Sequence, residues 1–388
     1  MNDVTKFGLK LENIGQITEA NITFGELTVL VGPQATGKSI ALQLLKLIVD
    51  TGQIFSELKR YGLDWSKNLP EFLDIYLGEG MRRLWRENQS VITWQNKKID
   101  LARLVGRQRR FKDETVFYIP AQRVLTLRDG WPRPFTDYSP GDPYAVREFS
   151  EKLRRLLEQE FTPTERLFPQ ERRLKKELRE LLVQAFFPGY DLRMARYRSQ
   201  RRLVLQAGDA EEHLPFMVWS AGQREFMPLL LGFYWLMPPT KVLRRDKIKW
   251  VVIEELEMGL HPQAISVTML MVLELLWRGY RVCLSTHSPH VLDVVWALQT
   301  LKKQLVDSRR VLEIFGARIT PPMQDVAETA LKKVLQVYYF DREGYAHDIS
   351  RLDPGSDDTI ESGWGGITEF SGRVADVVSQ AVAQGAVK

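Results

Sequence analysis

With 388 residues, 44% hydrophobic and 27% charged, the chain is long enough for one large domain or two modest ones. Its apolar runs, such as 226–239 and 265–277, fall short of the ~20 residues a membrane span needs. Residues 1–10 lack the apolar stretch of a secretory signal, so the expected address is the cytoplasm. The net charge of +5 is mild, and the single cysteine, Cys283, excludes an internal disulfide and argues against a cysteine-based zinc site.

Residues 7–31 alternate in short apolar runs broken by Gly15 and Gly25, the pattern of strands joined by turns. Gly32-Pro33-Gln34-Ala35-Thr36-Gly37-Lys38-Ser39 then fits G-x-x-x-x-G-K-[ST], and residues 40–49 carry leucines and isoleucines at helical spacing. Strand, glycine loop and helix in that order let backbone N–H groups cradle phosphates. Lys38 would reach the outer phosphates and the Ser39 hydroxyl would ligate magnesium. Residues 52–112 are mostly helical in pattern, interrupted by a hairpin in which Gln95-Asn96 joins 91–93 to 98–100, and read as an inserted lobe.

A buried strand over 114–119 ends at Pro120, and Gln122 follows it. From a loop there, Gln122 could sense magnesium and the attacking water, although a polar residue after a strand is commonplace. Residues 144–187 are charged and helical, divided by Pro163 and Pro169, and too short for a long coiled coil. Basic residues crowd 152–202, among them Arg172, Arg173, Lys175, Lys176, Arg193, Arg196, Arg198, Arg201 and Arg202. Such a cluster can contact the phosphates of DNA. The interleaved Glu165, Glu171, Glu177 and Glu180 equally suit a solvated helical face.

Residues 193–206 alternate like a strand, and Ser220-Ala221-Gly222-Gln223 opens an apolar helix, as a cap or an anion site. Trp250-Val251-Val252-Ile253 reads as a central parallel strand ending in Glu254-Glu255. Alternation along a strand sends the two acids apart, Glu254 toward the metal and Glu255 toward the water attacking the terminal phosphate. After a helix over 263–278, the strand 282–286 delivers His287 to the same sheet edge, where its imidazole could hydrogen-bond that phosphate or water. His261 and His290 read as structural, and 353–366 as loop.

Together these motifs resemble the ATP-binding-cassette (ABC) type of ATPase. Residues 32–39 resemble its Walker A loop, Gln122 its Q-loop glutamine, Ser220-Ala221-Gly222-Gln223 its signature motif, 251–255 its Walker B strand and His287 its switch histidine. Ile253-Glu254-Glu255-Leu256-Glu257, Leu260-His261-Pro262 and Ser285-Thr286-His287-Ser288-Pro289 are similar to the soluble branch of OLD-type phage-defence ATPases and RecF-like repair proteins. Gln34, Leu256 and Ala221 depart from the family's usual asparagine, proline, and glycine or serine.

The resemblance implies an α/β ABC-type ATPase head: a mixed sheet with a P-loop core, antiparallel N-terminal strands and helical insertions. The head would comprise 1–50, 113–143 and 190–388, with a helical lobe at 51–112 and a short basic helical insertion at 144–189. ATP would be held by Gly32, Gln34, Ala35, Thr36, Gly37, Lys38, Ser39, Gln122, Ser220, Gly222 and Gln223, with Mg2+ at Ser39, Glu254 and Gln122. Glu255 and His287 would be catalytic. In that branch Ser220 and Gly222 serve the nucleotide of a partner's loop, which implies at least a head-to-head homodimer.

OLD-type proteins append a Toprim nuclease domain, but after His287 the nearest acidic pair, Asp357-Asp358, reads as a surface loop. The tail, with Trp364-Gly365-Gly366 and Phe370-Ser371-Gly372, resembles those of standalone defence ATPases such as the ATPase subunit of the PARIS system. The expected function is therefore an ATP-hydrolysing sensor and scaffold of a bacterial anti-phage system, controlling a separate effector such as a Toprim-type nuclease. The alternative is a RecF- or SMC-like DNA-repair or chromosome-maintenance ATPase that binds DNA.

Overall fold

Alternate apolar side chains over residues 7–24 fold into an antiparallel pair, β1 (Phe7–Ile14) and β2 (Ile17–Phe24), burying Leu9, Leu11 and Ile22. The computed structural model describes residues 7–106, 113–161, 166–198, 200–208, 212–239, 244–245, 247–366, 373–374, 377–380 and 382. Phe370-Ser371-Gly372 lies outside them. The wholly buried β3 (Leu27–Val31) leads through the glycine loop into α1 (Lys38–Arg60), whose helical backbone lapses once, at Asp50. α2 (Leu69–Leu77) starts on an Asn68 side-chain cap. β4 (Val91–Trp94) and β5 (Lys97–Ile99) turn at Gln95-Asn96, both at positive φ, and α3 (Leu101–Gly106) follows.

Next come β6 (Val116–Ile119), the small hairpin of β7 (Leu127–Arg128) and β8 (Trp131–Pro132), and α4 (Tyr144–Gln159). β9 (Arg166–Phe168) and α5 (Lys176–Phe186) precede β10 (Asp191–Tyr197), β11 (Gln200–Gln206) and β12 (His213–Pro215). α6 (Ala221–Leu236), β13 (Trp250–Ile253), α7 (Pro262–Trp277) and β14 (Arg281–Thr286) alternate as a parallel sheet requires. α8 (Pro289–Lys303), α9 (Arg309–Ile314), α10 (Pro321–Lys332), β15 (Leu335–Phe340), β16 (Ala346–Asp348) and α11 (Thr359–Ser362) complete the described elements.

The central sheet has the order β16-β15-β3-β14-β13-β6, parallel except for β16. Its middle strands are buried on both faces. Val251 and Ile253 face the core formed with α6 and α7, while Trp250 and Val252 face the core shared with α1 and β1–β2. Because β3, β6, β13 and β14 run parallel, the loops after all four meet at one edge of the sheet, where ligands of open α/β sheets bind. The result is the α/β head with antiparallel N-terminal strands expected from the motifs.

Several boundaries differ from expectation. The helix after the loop runs on to Arg60 instead of ending at 50, and β4 pairs with β1, so 51–112 extends the N-terminal sheet and its core and does not stand as a separate lobe. The 144–189 segment is likewise built into the head: Phe149, Leu153 and Leu156 of α4 are fully buried. A buried charge network reinforces this. Lys46 Nζ of α1 contacts Glu114 (3.0 Å), Glu148 of α4 (3.2 Å) and Asp50 (3.4 Å) and donates to the Val116 carbonyl (2.7 Å). Residues 193–206 form not one strand but most of a two-stranded hairpin, and 353–366 contains the short α11.

Candidate nucleotide site

The phosphate loop is closely fitted. A Cβ on Gly32, at φ 141, would stand 2.2 Å from the Phe340 carbonyl oxygen, and one on Gly37, at φ 98, 2.5 Å from Ile17. Only glycine fits either position. Ala35 takes a φ of 61 between them. The Thr36 hydroxyl donates to the Pro33 carbonyl (3.0 Å), and Lys38 Nζ donates to those of Gly32 (2.8 Å) and Pro33 (2.6 Å). Burial pushes the Lys38 ammonium down to about 8, against the opposing pull of Glu255 and Glu257. Gln34, Ala35, Thr36, Gly37, Lys38 and Ser39 line a 140 Å³ cleft with Gln16, Glu255, Ser285 and His287. A 570 Å³ depression on the outer side of the loop adds Arg342, from just beyond β15.

Glu254 is buried, 2% exposed. Its Oε2 accepts the Ala121 N–H at 3.1 Å, and burial raises its pKa against the opposing pull of the Ser39 hydroxyl, the Ala121 N–H and the Tyr118 hydroxyl. Its Oε1 has no hydrogen-bond partner among the described residues. A buried orphan carboxylate oxygen beside a hydroxyl is the hard-oxygen donor set that Mg2+ takes, so the residues fit the ion expected here.

Glu255 lies beyond the end of β13, at φ 43, so strand alternation does not set its direction; the turned backbone does. Its N–H donates to Ser285 Oγ at 3.1 Å. His287 Nε2 lies 3.6 Å from Glu255 Oε1 and holds that carboxyl below its ordinary range. The His287 N–H in turn donates to Glu257 Oε1 at 2.5 Å.

Gln122 follows β6 as expected but is exposed and is not among the residues lining the cleft. Its neighbour Arg123, which sequence reasoning passed over, is 0% exposed. Its guanidinium donates to the carbonyls of Glu254 (3.0 Å), Glu255 (3.1 Å), Glu225 (3.3 Å) and Met258 (3.4 Å). One side chain thus joins the tip of β13, the following loop and the first turns of α6; only its position beside Gln122 hinted at it.

Ser220 and Gln223 form a reciprocal capping box at the start of α6, and Gln223 also donates to the Phe186 carbonyl. Ser220 is exposed, and neither it, Gly222 nor Gln223 lines the cleft of its own chain. His261 caps α7 by accepting the Gln263 N–H. No group of three or more His, Cys, Asp or Glu side chains gathers at metal-binding distance among the described residues. None of the described helices is long and apolar enough to cross a membrane.

The glycine loop at the end of β3 and the acid-tipped β13 on one edge of the parallel sheet define a P-loop nucleotide-binding core. Residues 127–293 match the family model described as "AAA domain, putative AbiEii toxin, Type IV TA system", a stretch holding the signature segment, Glu254, Glu255 and His287. Among solved structures the chain is similar to an SMC head bound to the C-winged helix domain of ScpA, at 8% identity and a TM-score of 0.39. That likeness covers 88% of this chain and 96% of the other. It is also similar to the SMC head domain from Thermotoga maritima, at 12% identity, a TM-score of 0.29, and 74% and 91% coverage. At these scores the likeness does not extend to function. No curated protein matches the sequence.

Proposed function

We propose that the protein hydrolyses ATP to ADP and phosphate with Glu255 as general base, working as a head-to-head dimer. The observation that carries this reading is the Glu255–His287 pair, which faces the same cleft as Lys38. Water attacks the terminal phosphorus, its proton passes to the Glu255 carboxylate, and the bond to the bridging oxygen breaks with its electrons leaving on ADP. His287 keeps Glu255 ionised and orients it; Lys38 and the loop N–H groups hold the phosphates. Magnesium, held by Ser39 and Glu254, would neutralise phosphate charge. Gln122 would join the metal and water only on closure of its loop. Exposed Ser220 and half-buried Gly222, neither lining their own chain's cleft, suit a nucleotide on the partner's loop.

The cellular role we propose is that of a sensor and scaffold in an anti-phage system, restraining a separate effector such as a Toprim-type nuclease. The toxin–antitoxin description of the matching family supports a role in such conflict systems. The PARIS-like tail belongs to the same proposal. Glu255→Gln tests both parts: phosphate release is expected to fall at least ~100-fold with ATP still bound, and plaque protection in a host carrying the neighbouring gene to vanish. Wild-type turnover by this variant refutes the assigned base; full protection without turnover refutes the coupling of hydrolysis to defence.

A further inference from the structure

Several of the basic residues between 152 and 202 are already paired with carboxylates of the same chain. Lys152 pairs with Glu114 and Glu148, Arg154 with Glu151 and Glu158, Arg173 with Glu160, Lys175 with Glu274, and Arg166 and Arg193 with Asp191. Arg196, Arg198, Arg201 and Arg202 have no carboxylate partner among the described residues, and all four sit at the tip of the β10–β11 hairpin.

That tip projects. β9 pairs with β10 only at Leu192 and Arg193, and β12 with β11 only from Val204 to Gln206; Met194 and Leu203 are still core residues, so 195–197 and 200–202 form the two-stranded tip, with no further neighbour strand among the described residues. Its base is held where the Leu203 N–H donates to the Gly130 carbonyl. The register sets Arg196 directly opposite Arg201 on one face, and Arg202 with Tyr197 on the other. The Arg202 guanidinium lies 4.2 Å from the Tyr197 ring centroid, and its Nε is buried without a hydrogen-bond partner. Like charges opposed across a ribbon are destabilising unless an anion lies against them.

We propose that this ribbon binds duplex nucleic acid by entering the major groove and contacting phosphates on both walls. Three residues of β10 beyond the buried Met194, at ~3.3 Å each, reach ~10 Å, against a groove ~8.5 Å deep and ~12 Å wide that admits a two-stranded ribbon. Arginines on both faces suit a groove walled by phosphate on either side; a flat anionic surface would engage one face. Between the ribbon and β7–β8 lies an open 1110 Å³ cleft lined by Arg128, Arg133 and Trp131; of its three acids Asp137 and Glu158 are paired with arginines, and Asp129 has no ion pair among the described residues. Its wall continues to Phe216 and Met217, just ahead of Ser220, so a bound duplex abuts the segment leading into α6. The contacts are to backbone phosphates, without base selection.

The inference stands apart from ATP hydrolysis and is tested without nucleotide. Fluorescence anisotropy of the full chain with a labelled DNA duplex of about 30 base pairs, across about 50 to about 200 mM salt, reads affinity and salt slope. If the ribbon arginines neutralise three phosphates they contribute a slope of about −2.7. Arg196→Ala/Arg201→Ala/Arg202→Ala is expected to lose that slope and at least tenfold in affinity, while the matching triple lysine variant keeps most of both. Arg309→Ala/Arg310→Ala, on α9, is expected to bind as wild type. Unchanged binding by the triple alanine variant overturns the proposal, as does the absence of duplex binding at the lowest salt. Equal affinity for a single strand, or equal displacement by polyglutamate, also overturns it, since neither has a groove.

Discussion

Replacing Arg123 with methionine keeps most of the side chain's volume and removes its guanidinium. The two shortest hydrogen bonds lost, to the Glu254 and Glu255 carbonyls, are charge-assisted and worth about 1.5–3 kcal/mol each, or about 3–6 kcal/mol together. Release of a fully buried cation, whose pKa burial lowers, offsets part of that, leaving a net loss of about 2–4 kcal/mol. Urea unfolding should show the loss as a lower midpoint at unchanged slope. Catalysis should suffer separately. The positive φ of Glu255 costs about 1–3 kcal/mol and its carbonyl is one of the groups Arg123 holds, so the freed backbone can relax and carry the carboxylate away from the cleft. At about 1.4 kcal/mol per tenfold, single-turnover phosphate release is expected to drop about 10- to 100-fold. ATP affinity should stay within about threefold, because none of the Arg123 hydrogen bonds reaches residues 32–39. Arg123→Lys should recover part of the turnover. An unchanged midpoint, or ATP affinity falling in step with turnover, refutes the reasoning.

Gly32→Ala places a Cβ 2.2 Å from the Phe340 carbonyl oxygen and should abolish ATP binding in calorimetry while costing about 1–3 kcal/mol of stability; retained affinity contradicts the fit. Glu148, raised to about 7 by burial although Lys152 and Lys46 pull it down, holds its proton more tightly folded than unfolded. Its contribution is therefore fully present below about pH 4.5 and lost as pH rises through about 7. Relative to wild type, Glu148→Gln should gain up to about 3 kcal/mol across that window in urea titrations, whereas a constant gap refutes it. Ser220→Ala should cost about 1 kcal/mol through its lost cap. If Ser220 also serves a partner's nucleotide, turnover at high protein concentration should fall more than tenfold, whereas activity that only tracks stability confines Ser220 to capping.

The parts of the site legible in the sequence are those whose chemistry is local. Gly32, Gly37, Lys38 and Ser39 sit at fixed spacing between a strand and a helix, and Glu254, Glu255 and His287 sit at the ends of two apolar runs, so a pattern reader finds them. The β10–β11 hairpin escaped because its turn, with Arg198 at φ 46, has no Asn-Gly or Asp-Gly signature, so two strands read as one. Charge along 152–202 could not be apportioned from sequence for a different reason: Glu114 and Glu274, which neutralise Lys152 and Lys175, lie far away in sequence. Likewise the pairing of β4 with β1 depends on tertiary contact across some eighty residues, and local periodicity carries no trace of it. Arg123 gave no signal of its own because its partners are backbone carbonyls, which every residue possesses.

The outward edge of β6 has a consequence for assembly. A terminal parallel strand normally offers free N–H and C=O groups to any passing strand. Here Asp50 accepts the Thr115 and Val116 N–H groups at 2.9 and 2.8 Å, and Lys46 takes the Val116 carbonyl. The helix that begins at the phosphate loop therefore plugs the start of the sheet's rim with its own side chains. Copies of this chain cannot join by continuing the sheet there, which protects against runaway edge-to-edge stacking and leaves association to the loop face and other surfaces.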